Sequence, residues 1–498
     1  MRYLFICLLS GLTFGAYAQR EGGPQQNANT LLDQSFWQNK PGVEAVKAEV
    51  AKGNDPAQLN GSAFDPVVLA INSGAPNETI IYLLDQKGNQ PNKITHDSRT
   101  YLFWAANRGN TEVMEYLFSK GAKVNVQDSH GMSVINFAAA AGQQNTKVYD
   151  LCIKNGADLK TDLNHDGANA LLLAISNDPE LKLTSYFESK GLDIKSKDAA
   201  GNTAFDYAAR SGNIPVMKAL LAKGVKYSDN AMILASQGGR RGSNSPEVFQ
   251  YLESIGIKPT VTAKNGDNVL HSIARRAGQI ELIKYFLGKG VNPNQANEDG
   301  NTPFMYAAAS NRDTATITLL TASVKDINQA NKSGMTALAF AVRGNSPEIV
   351  EYLLSKGANA NTVDTKGNNL VYYLFESYSP RQSKDFEPKL KLLQSKGVNF
   401  ATPQKDGNTV YHFAVAKNDL SLVKYVQAFG ADVNAKNQEG LTALHKAAML
   451  ARDNNMMQYL VSIGAKKDIK TTFNETAYDL ASENEYLTKQ KVSVDFLK

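Results

Sequence analysis

Two patterns of apolar and polar positions alternate along the chain. In "TEVMEYLFSKG" (111–121) and "PEIVEYLLSKG" (347–357), apolar residues recur at helical spacing and stop at a glycine suited to a left-handed cap. In "AGNTAFDYAARSGN" (200–213), "DGNTPFMYAAASN" (299–311), "SGMTALAFAVRGN" (333–345) and "EGLTALHKAA" (439–448), a polar-Gly pair is followed by threonine and a short apolar run. The polar-Gly pair predicts a hairpin tip, because glycine takes a positive φ without a Cβ clash. Thr203, Thr302, Thr336 and Thr442 each predict a helix N-cap, and Pro303 fits the first helical position, where no amide partner is needed. Alanine pairs such as Ala208-Ala209 and Ala307-Ala308 allow adjacent helices to approach closely.

The unit repeats. Gly53, Gly88, Gly121, Gly156, Gly191, Gly224, Gly256, Gly290, Val324 in a glycine's place, Gly357, Gly397, Gly430 and Gly464 are separated by 32 to 35 residues, except for one step of 40 between Gly357 and Gly397. Thirteen periods and a final half-period, "NETAYDLASENEYL", account for nearly everything after residue 30. Self-similarity at this period means stacked supersecondary units, none of which buries its apolar face alone.

The degenerate T-P-L-H-x-A cores at Thr302-Pro303, Leu270-His271, Tyr411-His412 and Leu444-His445 resemble those of the ankyrin-repeat family, in register along most of the chain. The resemblance implies an all-α repeat solenoid of stacked helix-turn-helix units with β-hairpin tips projecting along one edge. The expected organisation is a signal peptide at 1–18, a disordered leader at 19–30 and a single array at 31–498. Within the array, 31–95 would be degenerate N-terminal capping repeats, 96–470 central repeats distorted at 229–258, and 471–498 a C-terminal cap. In "LLDQSFW", Phe36 and Trp37 are expected to turn inward and begin the N-terminal cap.

"DLNHDG" (162–167) begins like a calcium loop, but Leu173 stands at the twelfth position, where a bidentate Glu would be needed. Asn164, Asp166 and Gly167 match the tip positions of Asn297, Asp299 and Gly300, so the stretch is expected to be a hairpin tip. His271, His412 and His445 fall at the family's helix-start histidine, which ties neighbouring turns together. His96, His130 and His165 fall on three consecutive tips. They are read as surface histidines, with a metal- or pH-responsive edge as the alternative, because the resemblance implies stacked repeats too far apart for one ion to hold all three. Cys152, alone once Cys7 leaves with the signal, reads as a buried structural thiol.

Composition changes the picture at the amino terminus. Arg2, an apolar run from Tyr3 to Phe14 and Ala16-Tyr17-Ala18 form a secretory signal pattern. Export to a periplasm or the extracellular space is therefore expected, and no later stretch approaches the length of a membrane-spanning helix. The formal charge of +5, or +4 without Arg2, is too mild to argue for nucleic acid.

No catalytic triad, zinc signature or paired carboxylates can be assembled outside the repeat pattern, so no enzyme activity, cofactor or metal is expected. Two long basic connections carry Arg240 and Arg241, and Arg381 and Lys384; the first is Gly-rich and lacks the Walker pattern. The resemblance places the residues after each alanine pair on the concave face: Arg108, Arg210, Arg275, Arg276, Arg343 and Lys417, with Glu376 as an exception. These cations read either as a basic groove for an acidic protein segment or as a solvated face whose charges pair with nearby carboxylates. The functional expectation is a monomeric, exported scaffold that binds a partner protein through its concave face and hairpin tips. The alternatives are a secreted effector that captures foreign-cell proteins, and an enzyme with a site where the pattern fails, near Asp229 to Glu247.

Overall fold

The computed structural model describes residues 29–239 and 242–498, with the side chains at 381 and 382 left aside. The expected signal, nearly all of the leader, Arg240, Arg241 and the Arg381 side chain lie outside that description. The described residues hold 28 α-helices and no strand, only isolated bridges, and they form two compact units divided after Tyr251.

In the first unit the array starts slightly earlier than expected. Asn29 caps the turn Thr30–Leu32 and donates to the Asp55 carbonyl, and the Thr30 amide donates to Asn54. Trp37 is buried with its Nε1 donating to the Leu31 carbonyl at 2.8 Å, as a buried indole requires, whereas Phe36 is only half-buried against its edge. First helices then stack on first helices through Pro66–Ser73, Tyr101–Asn107, Val134–Ala140, Ala170–Ala174, Ala204–Ser211 and Asn230–Gln237. In the second unit the same row runs through Val269–Ile273, Pro303–Ser310, Ala337–Gly344, Leu370–Glu376, Val410–Ala416, Ala443–Leu450 and Ala477–Glu483. The alanine pairs in these rows are buried.

Most tips are closed turns hung on one Asn or Asp side chain. Asn164 Oδ1 accepts from the amides of Asp166 (3.0 Å) and Ala168 (2.8 Å), while Asp162 faces back to Ser133 and Asn136. The oxygens of "DLNHDG" thus serve the turn and its neighbour. Many successive tips are joined by a backbone bond, such as Ala199 N to Asp166 O (2.8 Å) in the first unit and Lys332 N to Asp299 O (2.9 Å) in the second. That close approach is a second reason for glycine: a Cβ on Gly334 (φ +81) would stand 2.6 Å from the Thr365 amide. Single bridges such as Lys197 to Thr203 and Ala330 to Thr336 close the hairpins.

Three tips lack the glycine, and Ala63 (φ +57), Ser98 (φ +61) and Asn474 (φ +65) hold the left-handed conformation in its place. Asparagine tolerates that region, but alanine and serine are strained there by about 1 kcal/mol or more each. The double substitution Ala63→Gly/Ser98→Gly is expected to raise stability by roughly 1 kcal/mol after the greater chain entropy of glycine is subtracted, read as a higher denaturant midpoint at unchanged slope. An unchanged or lower midpoint would contradict the strain.

The poor match at 229–258 has a simple cause. In the other repeats about thirteen residues separate the glycine that ends one second helix from the next first helix, as from Gly290 to Pro303; from Gly224 to Asn230 there are six. The tip is deleted. Asp206 replaces it, accepting from the Thr203 and Ser228 amides at 2.8 and 3.0 Å and from the Ser228 hydroxyl at 2.8 Å. Burial raises the Asp206 carboxyl pKa, and these hydrogen bonds oppose the shift.

Candidate protein-interaction face

Each first helix ends where its last turn leaves the packed row, so the residues after the alanine pair face outward. Arg108 and Arg210 occupy this place in the first unit and are exposed. Arg275, Arg276, Arg343 and Lys417 occupy it in the second. The two groups lie in separate units, and the residues whose mutual geometry is defined are those of the second.

There the cations are held in place. The Arg275 guanidinium sits 4.6 Å above the centre of the Tyr306 ring, a cation–π contact with a tyrosine from the next repeat. Arg276 is half-buried beside it. Arg343 forks onto Glu376, with Nε to Oε2 and Nη2 to Oε1 both at 3.1 Å, the bidentate arrangement that fixes a guanidinium most firmly. Lys417 Nζ donates to the Glu376 backbone carbonyl at 2.8 Å; burial lowers its pKa, and the Glu376 charge opposes that shift. Ala309, Gly344 and Ser377 leave room beside this pair, and with Phe340, Arg343 and Glu376 they line an open cleft of about 450 Å³. Of the two readings of these cations, pairing with a neighbouring carboxylate describes Arg343. Arg275 instead rests on an aromatic ring.

A feature in the same register was readable in the sequence but was not picked out. After Ala447-Ala448 come Met449 and Leu450, 51% and 50% exposed, so the row carries an apolar patch one repeat before its end. Leu450 also borders a small recess of about 30 Å³ shared with Val415, Ala451 and Met456. Beyond it, Arg452 lies 5.9 Å over the half-exposed Tyr486.

Of the two long connections, the one with Lys384 exposes that lysine and ties Asp385 to Arg312 at 3.1 Å. Its other consequence is internal. In several repeats an amide side chain from this connection caps the first helix of the preceding repeat: Asn345 Nδ2 donates to the Ala308 and Asn311 carbonyls, both at 2.9 Å. The longer connection has no such asparagine, and the buried Lys389 does the work, donating to the Val342 and Asn345 carbonyls at 2.8 and 3.2 Å. Burial pushes its ammonium down to about 8.

The histidines divide as expected. The Nδ1 atoms of His271, His412 and His445 accept the amide of their own N-cap residue at 3.0 to 3.1 Å, and each Nε2 reaches a carbonyl of the next repeat, Asn301, Leu441 or Ile469. On the tips, His96 and His130 each place Nε2 3.4 Å from Asp97, whose carboxylate also binds Arg99 at 3.0 Å, and His165 packs against Gly131. No group of three or more His, Cys, Asp or Glu among the described residues is arranged to hold a metal ion. Cys152 is buried, and burial pushes its thiol up to about 12, far from a reactive thiolate.

Comparison with known proteins fits this architecture. The chain is 26% identical over 274 residues to phosphocholine transferase AnkX of Legionella pneumophila, covering 54% of this chain and 23% of that protein. It is 24% identical over 439 residues to human transient receptor potential cation channel subfamily A member 1 (87% of this chain, 33% of that protein). It is also 24% identical over 412 residues to alpha-latroinsectotoxin-Lt1a of Latrodectus tredecimguttatus (77% and 28%). The chain therefore spans about a quarter to a third of the length of these relatives. A family model for ankyrin repeats matches residues 37–128, 135–231, 232–329, 270–364, 307–379 and 382–488, taking in both the degenerate first repeats and the one without a tip. By the extent of that match and by its stacked helix pairs, the chain belongs to the ankyrin-repeat family.

Proposed function

We propose that this protein is an exported scaffold, acting as a monomer, that binds an acidic segment of a partner protein along the row of first-helix ends in its second unit. Ankyrin repeats generally mediate protein–protein interaction, and the repeats fill almost all of the chain. Export is supported by the pattern at Arg2, the apolar run and Ala16-Tyr17-Ala18. Among the described residues, no helix is long and apolar enough to cross a membrane. Catalysis and cofactors play no part in this reading.

The observation that carries it is the positioning of Arg275 over Tyr306 and of Arg343 on Glu376 beside an open cleft. A guanidinium whose rotamer is already fixed loses less entropy when a carboxylate docks on it. Glu376 then acts as a resident competitor for Arg343. The test is fluorescence anisotropy with a labelled poly-glutamate peptide at low and moderate salt. Binding is expected to weaken by about tenfold or more in Arg275→Glu/Arg343→Glu and on adding salt, and to strengthen in Glu376→Gln. Binding that is indifferent to all three changes would overturn the reading.

A further inference from the structure

We infer that the partner segment is bipartite: an acidic stretch facing Arg275, Arg343 and Lys417, followed one repeat further along by aliphatic side chains that dock on Met449 and Leu450. This rests on the acidic-segment reading above and adds the specificity element to it. Four observations meet here. Met449 and Leu450 stand, directly after Ala447-Ala448, in a register that carries cations or small residues in the other repeats of this unit, apart from Glu376 and, in the last repeat, Glu483 and Asn484. Both are about half exposed, although a helix end needs no apolar residue there. They follow Lys417 by one repeat, and Lys417 is tied to Glu376, which is tied to Arg343, while the helix before Lys417 packs on the helix that carries the patch. The recess between Leu450, Val415 and Met456 has room for about one methyl group, enough to register a branched aliphatic tip.

Charge complementarity selects the rest of the occupant. Arg275, Arg276, Arg343 and Lys417 outnumber Glu376 and Glu483, so a segment with carboxylates is attracted and a basic one repelled. A wholly acidic segment would leave the patch in water, and a wholly apolar one would leave the guanidinium groups unanswered. First helices packed at about 8–10 Å put the patch roughly 40–50 Å along the row from Arg275, a distance that about fifteen extended residues cover. Cations on one side of a fixed apolar patch also set the direction in which the segment lies.

The experiment uses two labelled peptides, five Glu-Glu-Ser units ending in Leu-Leu and a twin ending in Ser-Ser, titrated with the full chain. The Leu-Leu peptide is expected to bind about tenfold or more tightly, and Met449→Ser/Leu450→Ser is expected to abolish that difference while leaving the twin's affinity unchanged. Because both side chains are half exposed, the variant should unfold at the same denaturant concentration, which far-ultraviolet circular dichroism checks. Equal binding of the two peptides, or a difference that survives in the variant, overturns the bipartite segment. If instead Arg275→Glu/Arg343→Glu leaves both peptides unaffected, the acidic reading beneath it fails, so the two failures are distinguishable.

Discussion

Replacing Asn345 by alanine is expected to destabilise the second unit by about 2–4 kcal/mol, a large effect for one amide group. Asn345 is 1% exposed. Its Nδ2 caps the Ala308 and Asn311 carbonyls and its Oδ1 accepts the Ser346 amide at 2.8 Å, so one truncation leaves three buried backbone groups without their partner. The affected contacts run between repeats. In a linear array whose stability is a sum of repeat and nearest-neighbour terms, weakening one interface reduces cooperativity as well as total stability. Urea unfolding followed by circular dichroism should show an earlier transition that is also broader. Ser355→Ala, at an exposed helix end, is the control and should change stability by less than about 0.5 kcal/mol. An Asn345→Ala transition that coincides with the parent's would mean that the capping bonds contribute nothing net.

The repeats could be read from the sequence because their signals are local. Most tips have a turn-forming Asn or Asp with a glycine three residues later, each first helix has a Thr, Ser, Asn or Asp cap, and a packed row needs small residues at fixed intervals. What could not be read depends on partners far apart in the chain. Glu376 stood out as an exception among the cations, but its fork to Arg343 becomes visible only when adjacent repeats are stacked. Lys389 looks like a solvated lysine in "FEPKLKLLQS". It is buried because the long connection before it lacks the asparagine that caps the neighbouring helix elsewhere. The repeat at 229–258 failed to match because seven residues of tip are absent, and the longer connection after it hides the loss by keeping the period near 33. Met449-Leu450 was legible in register, and would have stood out had every residue pair after an alanine pair been compared for polarity.

Acidification is expected to destabilise the second unit through His271, His412 and His445, beginning near pH 6.5 and deepening below it. Burial is the largest cause in each case and lowers all three imidazole pKa values from their ordinary value, against the pull of nearby carbonyls and carboxylates. The unfolded chain takes up these protons near pH 6.5 while the folded chain resists them, so stability is full above that pH and falls as the pH drops toward the lowered folded values. Geometry gives the same direction. Each Nδ1 accepts an N-cap amide, and a protonated ring would present a donor to that donor. Each unit of pKa depression is worth about 1.4 kcal/mol per histidine, and three act together in one array. The diagnostic variant is His271→Gln/His412→Gln/His445→Gln. Glutamine at this position of a capping box offers an acceptor to the N-cap amide and a donor to the next repeat, and it does not titrate. The variant should be less stable than the parent at pH 7.5, yet lose less of its melting temperature between pH 7 and 5.5, so that the two profiles converge on acidification. Parallel profiles would assign the acid sensitivity to the carboxylates, and the three histidines would then be ties between repeats with no part in its pH response.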